Sequence, residues 1–152
     1  MTTRTLTPIL AALLLATAPM VHAAAETAPA AATAASPIKV VYHVNDSDNA
    51  TAALRNIKNE LNAEPNTKIV VVTHSKGIDF LLSGAEDKNG NPYELTVQEL
   101  KGRGVDFRVC NNTLKGRKID PSKVIPEATI VPSGVAEIAR LEAKEGYVYL
   151  KP

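Results

Sequence analysis

Residues 68–74 read KIVVVTH: one lysine, then an isoleucine and three valines without a polar break. Such a run lacks the in-out alternation of a half-wet strand and fits one covered on both faces, as in a parallel sheet. Upstream, residues 38–44 (IKVVYHV) form a second apolar, β-branched run. Between the two stands Asn45-Asp46-Ser47-Asp48, a cluster of side chains suited to the N-cap of a helix. Ala50, Ala53, Leu54, Ile57 and Leu61 then recur at helical spacing and mark one apolar face, which Glu64-Pro65-Asn66 ends. Strand, helix and strand through short links imply a mostly parallel sheet.

The pattern continues downstream. Lys76-Gly77 opens a short helix through Leu82, and residues 84–92 form a polar loop around the Asn89-Gly90 turn signal. Thr96-Val97-Gln98-Glu99 reads as a capping box before a helix ending near Gly102. Residues 105–109 (VDFRV) are a third strand with Cys110 at its carboxyl end. Short helices are expected over 113–118 and 120–125, and a fourth strand over 129–131. Ser133 would cap a helix over 135–144, with Val135, Ile138 and Ala139 facing inward; Gly146 closes it before a fifth strand over 147–150. The expected class is α/β, three-layered, with a mostly parallel five-stranded sheet and helices on both faces.

The chain has 152 residues, 45% hydrophobic and 22% charged, which excludes wholesale disorder, collagen-like repeats and a multi-span membrane protein. Its start, MTTRTLTPILAALLLATAPMVHA, joins Arg4 to a short apolar run and small residues at the end, the three-part pattern of a secretory signal peptide over 1–23. Residues 24–36, AAETAPAAATAAS, are too poor in large apolar groups to offset their ordering entropy and are expected to be a disordered Ala/Pro-rich linker. The folded domain is expected over 37–152. Export would place it in an oxidising compartment, a periplasm, with no membrane attachment after cleavage. Lys plus Arg number 17 against 16 acidic residues, and loss of Arg4 levels the two. A near-neutral chain with 4% aromatics and no Trp offers nucleic acid neither a field nor a stacking platform.

Beyond the leader the chain holds two histidines and one cysteine. His43, His74 and Cys110 stand at or near the carboxyl ends of strands one, two and three, where open α/β sheets collect ligands. Each has a plainer reading: a hydrogen-bonded structural histidine, or a cysteine serving as a small apolar group. The functional reading makes Cys110 a nucleophile, with helix amides and a cation favouring its thiolate. Arg108 shares its face of the strand, and Arg117 would fold back toward it. His74 would move protons near neutral pH. Asn45 and Asp46 either cap the first helix or bind a ligand. No Gly-x-Gly-x-x-Gly follows the first strand, which argues against a nucleotide.

Several segments resemble the DsrE/DsrF-like family of small sulfur-relay proteins, in its exported branch. They are His43 with Asn45-Asp46, His74-Ser75-Lys76-Gly77-Ile78, Phe107-Arg108-Val109-Cys110-Asn111-Asn112-Thr113-Leu114, Val131-Pro132-Ser133-Gly134-Val135, and Gly146-Tyr147-Val148-Tyr149. The resemblance implies a homo-oligomer, a trimer or hexamer, and a cysteine after the third strand that carries sulfur as a persulfide. Cys110 matches that position and Arg117 a basic position that follows it. On this reading Cys110 and His74 are catalytic, and His43, Asn45, Asn111, Asn112 and Arg117 bind substrate. No cofactor is expected, and the partner would be a protein that donates or accepts sulfur. Two departures stand against a simple transfer: export, and Asn111-Asn112 in place of small residues after the cysteine. The alternatives are a copper- or zinc-binding module using Cys110, His74 and His43, and a non-catalytic ligand-binding oligomer.

Overall fold

The computed structural model describes Met1 and residues 36–152. The leader expected over 1–23, save Met1, and the linker over 24–36, save Ser36, lie outside the described residues. Five strands form one sheet: β1 (Lys39–Val44), β2 (Lys68–Thr73), β3 (Asp106–Cys110), β4 (Ala128–Val131) and β5 (Val148–Leu150). Their spatial order is β4-β3-β2-β1-β5, and every neighbouring pair is parallel. The strand that opens the sequence argument is buried from Ile69 to Thr73, with only Lys68 in water. Burying each of those valines contributes roughly 2 kcal/mol.

The winding explains the layers. From β1 to β4 the chain steps one way across the sheet, so its right-handed crossovers lie on one face. That face carries α1 (Ala50–Ala63), α2 (Tyr93–Gly102) and α3 (Asn111–Gly116), with 3-10 turns over Ser47–Asn49, Ser75–Leu81 and Pro121–Lys123. The last crossover runs back past β1, so its helix, α4 (Gly134–Glu145), covers the opposite face. Alternation then sorts the side chains. Val40, Tyr42, Val44, Ile69, Val71, Phe107 and Val109 belong to the larger core, while Val41, Val70 and Val72 meet Ile138 and Leu141 of α4. Helices do cover both faces, but among the described residues one face carries α4 alone.

Several boundaries differ from expectation. The five apolar residues of the first helix are its buried residues, and Asp46 caps the turn leading into it by accepting from Asp48 N–H. The helix after the polar loop starts at Tyr93 behind Pro92, so Thr96 and Glu99 lie within it rather than forming its cap. Pro92, extended at the N-cap, starts the turn earlier than the Thr96–Glu99 pattern implies. On α4, Ile138 faces inward as expected, but Val135 is 61% exposed and Ala139 is exposed too; Gly134 and Leu141 complete the inner stripe. The stripe is anchored by a glycine, which an apolar-residue pattern does not register. Ser133 caps α4 as expected.

Candidate functional site

β1 lies where the winding reverses, with β2 on one side and β5 on the other. His43 is near its carboxyl end, on the face shared with Val41. The same alternation puts His74, just after β2, on the face of Val70 and Val72, and Cys110 on that of Arg108. All three therefore reach one rim from the α4 side of the sheet. His43 Nε2 and His74 Nε2 are 2.7 Å apart, directly hydrogen-bonded. His43 Nδ1 lies 2.6 Å from the Tyr149 hydroxyl, and His74 Nδ1 lies 2.9 Å from Ser75 Oγ.

Both imidazoles are held neutral. Burial, the neighbouring His74 and the Lys151 ammonium push His43 down to about 4. Burial and Lys151 likewise lower His74. The sign of the linkage follows: unfolded histidine takes a proton near pH 6.5, whereas folded His43 does so near 4. The stability this residue contributes is therefore present above about 6.5 and lost as the pH falls toward about 4. Denaturant unfolding across that window should show this loss, and His43→Gln should flatten it; an unchanged slope would contradict the assignment.

Cys110 is 5% exposed but belongs to neither apolar core. It ends β3 and is the N-cap of α3, where the thiol itself makes no capping hydrogen bond. Its surroundings act on the anion instead. Burial raises the thiol, but N–H groups of Gly134, Thr113 and Asn112 and the Thr113 hydroxyl outweigh it and bring the net value below the ordinary one. Gly134, the first residue of α4, can come this close because it has no side chain. A β-carbon there would sit 3.2 Å from Cys110 Cβ and 3.3 Å from His74 Cβ. Cys110 and His74 thus leave the backbone against a single point.

The expected cations are engaged elsewhere. Arg108 does share the face of Cys110, but it bonds Asp106 at 2.6 and 2.9 Å and also Glu137. Arg117 folds back to Asp79 Oδ1 at 2.5 Å and to the Ser75 carbonyl at 3.1 Å. Neither guanidinium figures among the groups that lower Cys110. The structure thus joins His43 directly to His74 and sets Cys110 and His74 on either side of Gly134, with the Asn112 amide among the groups that lower Cys110. Asn111 opens α3 without a side-chain hydrogen bond among the described residues, and half-buried Asn45 reaches neither histidine. As for metal, no group of three or more His, Cys, Asp or Glu residues is arranged to hold an ion among the described residues. All four ring nitrogens of the histidine pair are engaged in hydrogen bonds, the Nε2 atoms with each other and the Nδ1 atoms with Tyr149 and Ser75.

Sequence reasoning missed Ser75, Thr113, Gly134 and Tyr149. Ser75 has φ 54°, the left-handed region, which costs about 1 kcal/mol or more in a residue with a β-carbon. Its N–H donates to Thr113 Oγ1 at 3.0 Å. The same hydroxyl is among the groups that lower Cys110. Thr113→Val should therefore raise the ionisation midpoint of Cys110 by the worth of one hydrogen bond, on the order of 1 kcal/mol. Thiolate absorbance reads this without ambiguity, since the chain has one cysteine. Thr113→Ser should restore the midpoint, and no change in the valine variant would remove Thr113 from the cradle.

The sequence profile of the DsrE/DsrF-like family matches residues 11–152. Among solved structures, the chain is similar to MTH1491, a protein of unknown function from Methanobacterium thermoautotrophicum. Identity is 29% and the TM-score 0.67, covering 76% of this chain and 99% of that one. It is also similar to the ychN protein from E. coli at 18% identity and a TM-score of 0.64, again covering 76% and 99%. The latter likeness is one of fold alone. No curated protein matches the chain.

Proposed function

The chain belongs to the DsrE/DsrF-like family, and from that premise we propose that it carries sulfur on Cys110 as a persulfide. The family supports a sulfur-relay type of fold in general; what supports the finer reading is the position of the chain's one cysteine, at the end of β3 with Gly134 between it and His74, together with a thiol lowered on balance by neighbouring polar groups. A thiolate is the nucleophile in such chemistry, and a single cysteine suffices for a carrier. With thiosulfate as donor, the Cys110 thiolate attacks the outer sulfur. The new bond joins Sγ to that sulfur, the sulfur–sulfur bond of thiosulfate breaks, and its electron pair leaves with sulfite. No external oxidant or reductant is consumed. The Thr113 hydroxyl and the Gly134, Asn112 and Thr113 amides, which favour the thiolate, would attract the negative charge of a persulfide on the same residue by the same charge–dipole interaction. His74, neutral and beside the site, accepts or supplies a proton when sulfur passes to an acceptor.

The reading extends to the setting. We propose an exported, periplasmic protein that works as a homo-oligomer, a trimer or hexamer, and exchanges sulfur with a donor or acceptor protein. The signal-like residues 1–23 and the family resemblance support this. Intact-mass measurement of the full chain after thiosulfate or polysulfide treatment tests the chemistry. One added sulfur atom, removed by a thiol reductant and mapped to Cys110, is the expected result. An unmodified Cys110 after both donors would overturn the proposal.

A further inference from the structure

Tyr149 stands on β5, an edge strand of the sheet, and is 38% exposed. From its hydroxyl an unbroken file of hydrogen bonds runs inward: 2.6 Å to His43 Nδ1, 2.7 Å from His43 Nε2 to His74 Nε2, and 2.9 Å from His74 Nδ1 to Ser75 Oγ. Each link between neutral groups holds one hydrogen, and a neutral imidazole carries one in total. The direction of the first link therefore dictates all the others. A phenol is a stronger acid than a neutral imidazole N–H, and imidazole nitrogen is a stronger base than phenol oxygen. The first link is thus O–H to nitrogen.

We propose that Tyr149 is a positioning residue whose hydroxyl donates to His43 Nδ1 and thereby sets the tautomers of both histidines. His43 then carries its hydrogen on Nε2 and donates to His74 Nε2. His74 carries its hydrogen on Nδ1 and donates to Ser75 Oγ. Ser75 keeps its own hydroxyl hydrogen free to give. When that hydrogen leaves, each proton behind it advances by one bond, and the exposed Tyr149 oxygen regains one from water. The inner end of the file meets the sulfur cradle, since Ser75 N–H is bonded to Thr113 Oγ1. The charged group facing the pair is Lys151, just after β5; like burial, it opposes a proton on either ring and keeps the file neutral.

Use of the file in sulfur transfer rests on the proposed function, whereas the tautomers do not. Ring nitrogen-15 chemical shifts of the labelled full chain near neutral pH test the proposal directly. The expected spectrum shows one tautomer per ring, with hydrogen on Nε2 of His43 and on Nδ1 of His74. Tyr149→Phe should abolish the single-tautomer signature of His43, while the backbone amide signals of β5 and the ionisation midpoint of Cys110 stay in place. A merely structural tyrosine would not produce that split. Hydrogen on Nδ1 of wild-type His43, mixed tautomers in the wild type, or unchanged ring shifts in the phenylalanine variant would each overturn the proposal. A failure of Cys110 to take up sulfur would count against the carrier function and leave these shifts as they are.

Discussion

Cys110→Ser should abolish sulfur uptake entirely while leaving the fold within about 1 kcal/mol of wild type. The first half follows from the chemistry, because no other residue in the chain can form a persulfide. The second follows from the position. Cys110 is buried, but it stands at the end of β3 in the N-cap position of α3 and joins neither cluster of packed apolar side chains, so exchanging sulfur for oxygen opens only a small void. Serine is among the preferred N-cap residues, and its oxygen can accept from the amides that face the sulfur. Intact mass after thiosulfate and thermal unfolding, run on the same samples, check the two halves. Undiminished uptake by the serine variant would place the chemistry elsewhere. A large loss of stability would mean that Cys110 is a packing residue first.

Among glycine-to-alanine changes in the described fold, Gly77→Ala should cost the most stability. The 3-10 turn after β2 crosses the end of β1 with no room between backbones. A β-carbon on Gly77 would lie 2.0 Å from the Val44 carbonyl oxygen and 2.8 Å from Asn45 Cα. The atoms in the way are main chain of a central strand and cannot swing aside. Overpacking of this kind costs roughly 3 kcal/mol or more, a fall in unfolding temperature of about 10 °C or a failure to fold. The same change at Gly102 meets nothing within 4 Å and serves as the control. Equal unfolding temperatures for the two variants would show that the turn and strand do not touch as described.

How much of this was legible beforehand depends on the range of the interaction. The buried β2 run and the apolar face of α1 are local patterns, and both appear in the sequence at their true positions. Two signals misled for physical reasons. Thr96 and Glu99 have the spacing of a capping box, but that spacing also occurs inside any helix, and Pro92 had already begun the turn. Val135 looked like an inner residue because the true anchor of the α4 stripe, Gly134, has no apolar side chain to read. For the site, the strand ends placed His43, His74 and Cys110 on one rim. Their direct neighbours lay beyond sequence reasoning, since Tyr149 reaches His43 only because β5 returns to pair with β1. Gly134 reaches Cys110 because β4 pairs with β3 and delivers the start of α4 there. The expected cations failed for the opposite reason: acidic residues closer to Arg108 and Arg117 hold them.

Sulfur carriage requires that Cys110, only 5% exposed, still admits a small reagent and is held toward its anion by the polar groups around it. The rate of alkylation of the full-length protein by iodoacetamide, followed as a function of pH, tests reach and ionisation together on the chain's one cysteine. Complete modification is expected, with a half-maximal rate below the ordinary cysteine value of about 8.5. A thiol that resists modification at every pH, or one whose rate rises only at or above that value, would contradict it.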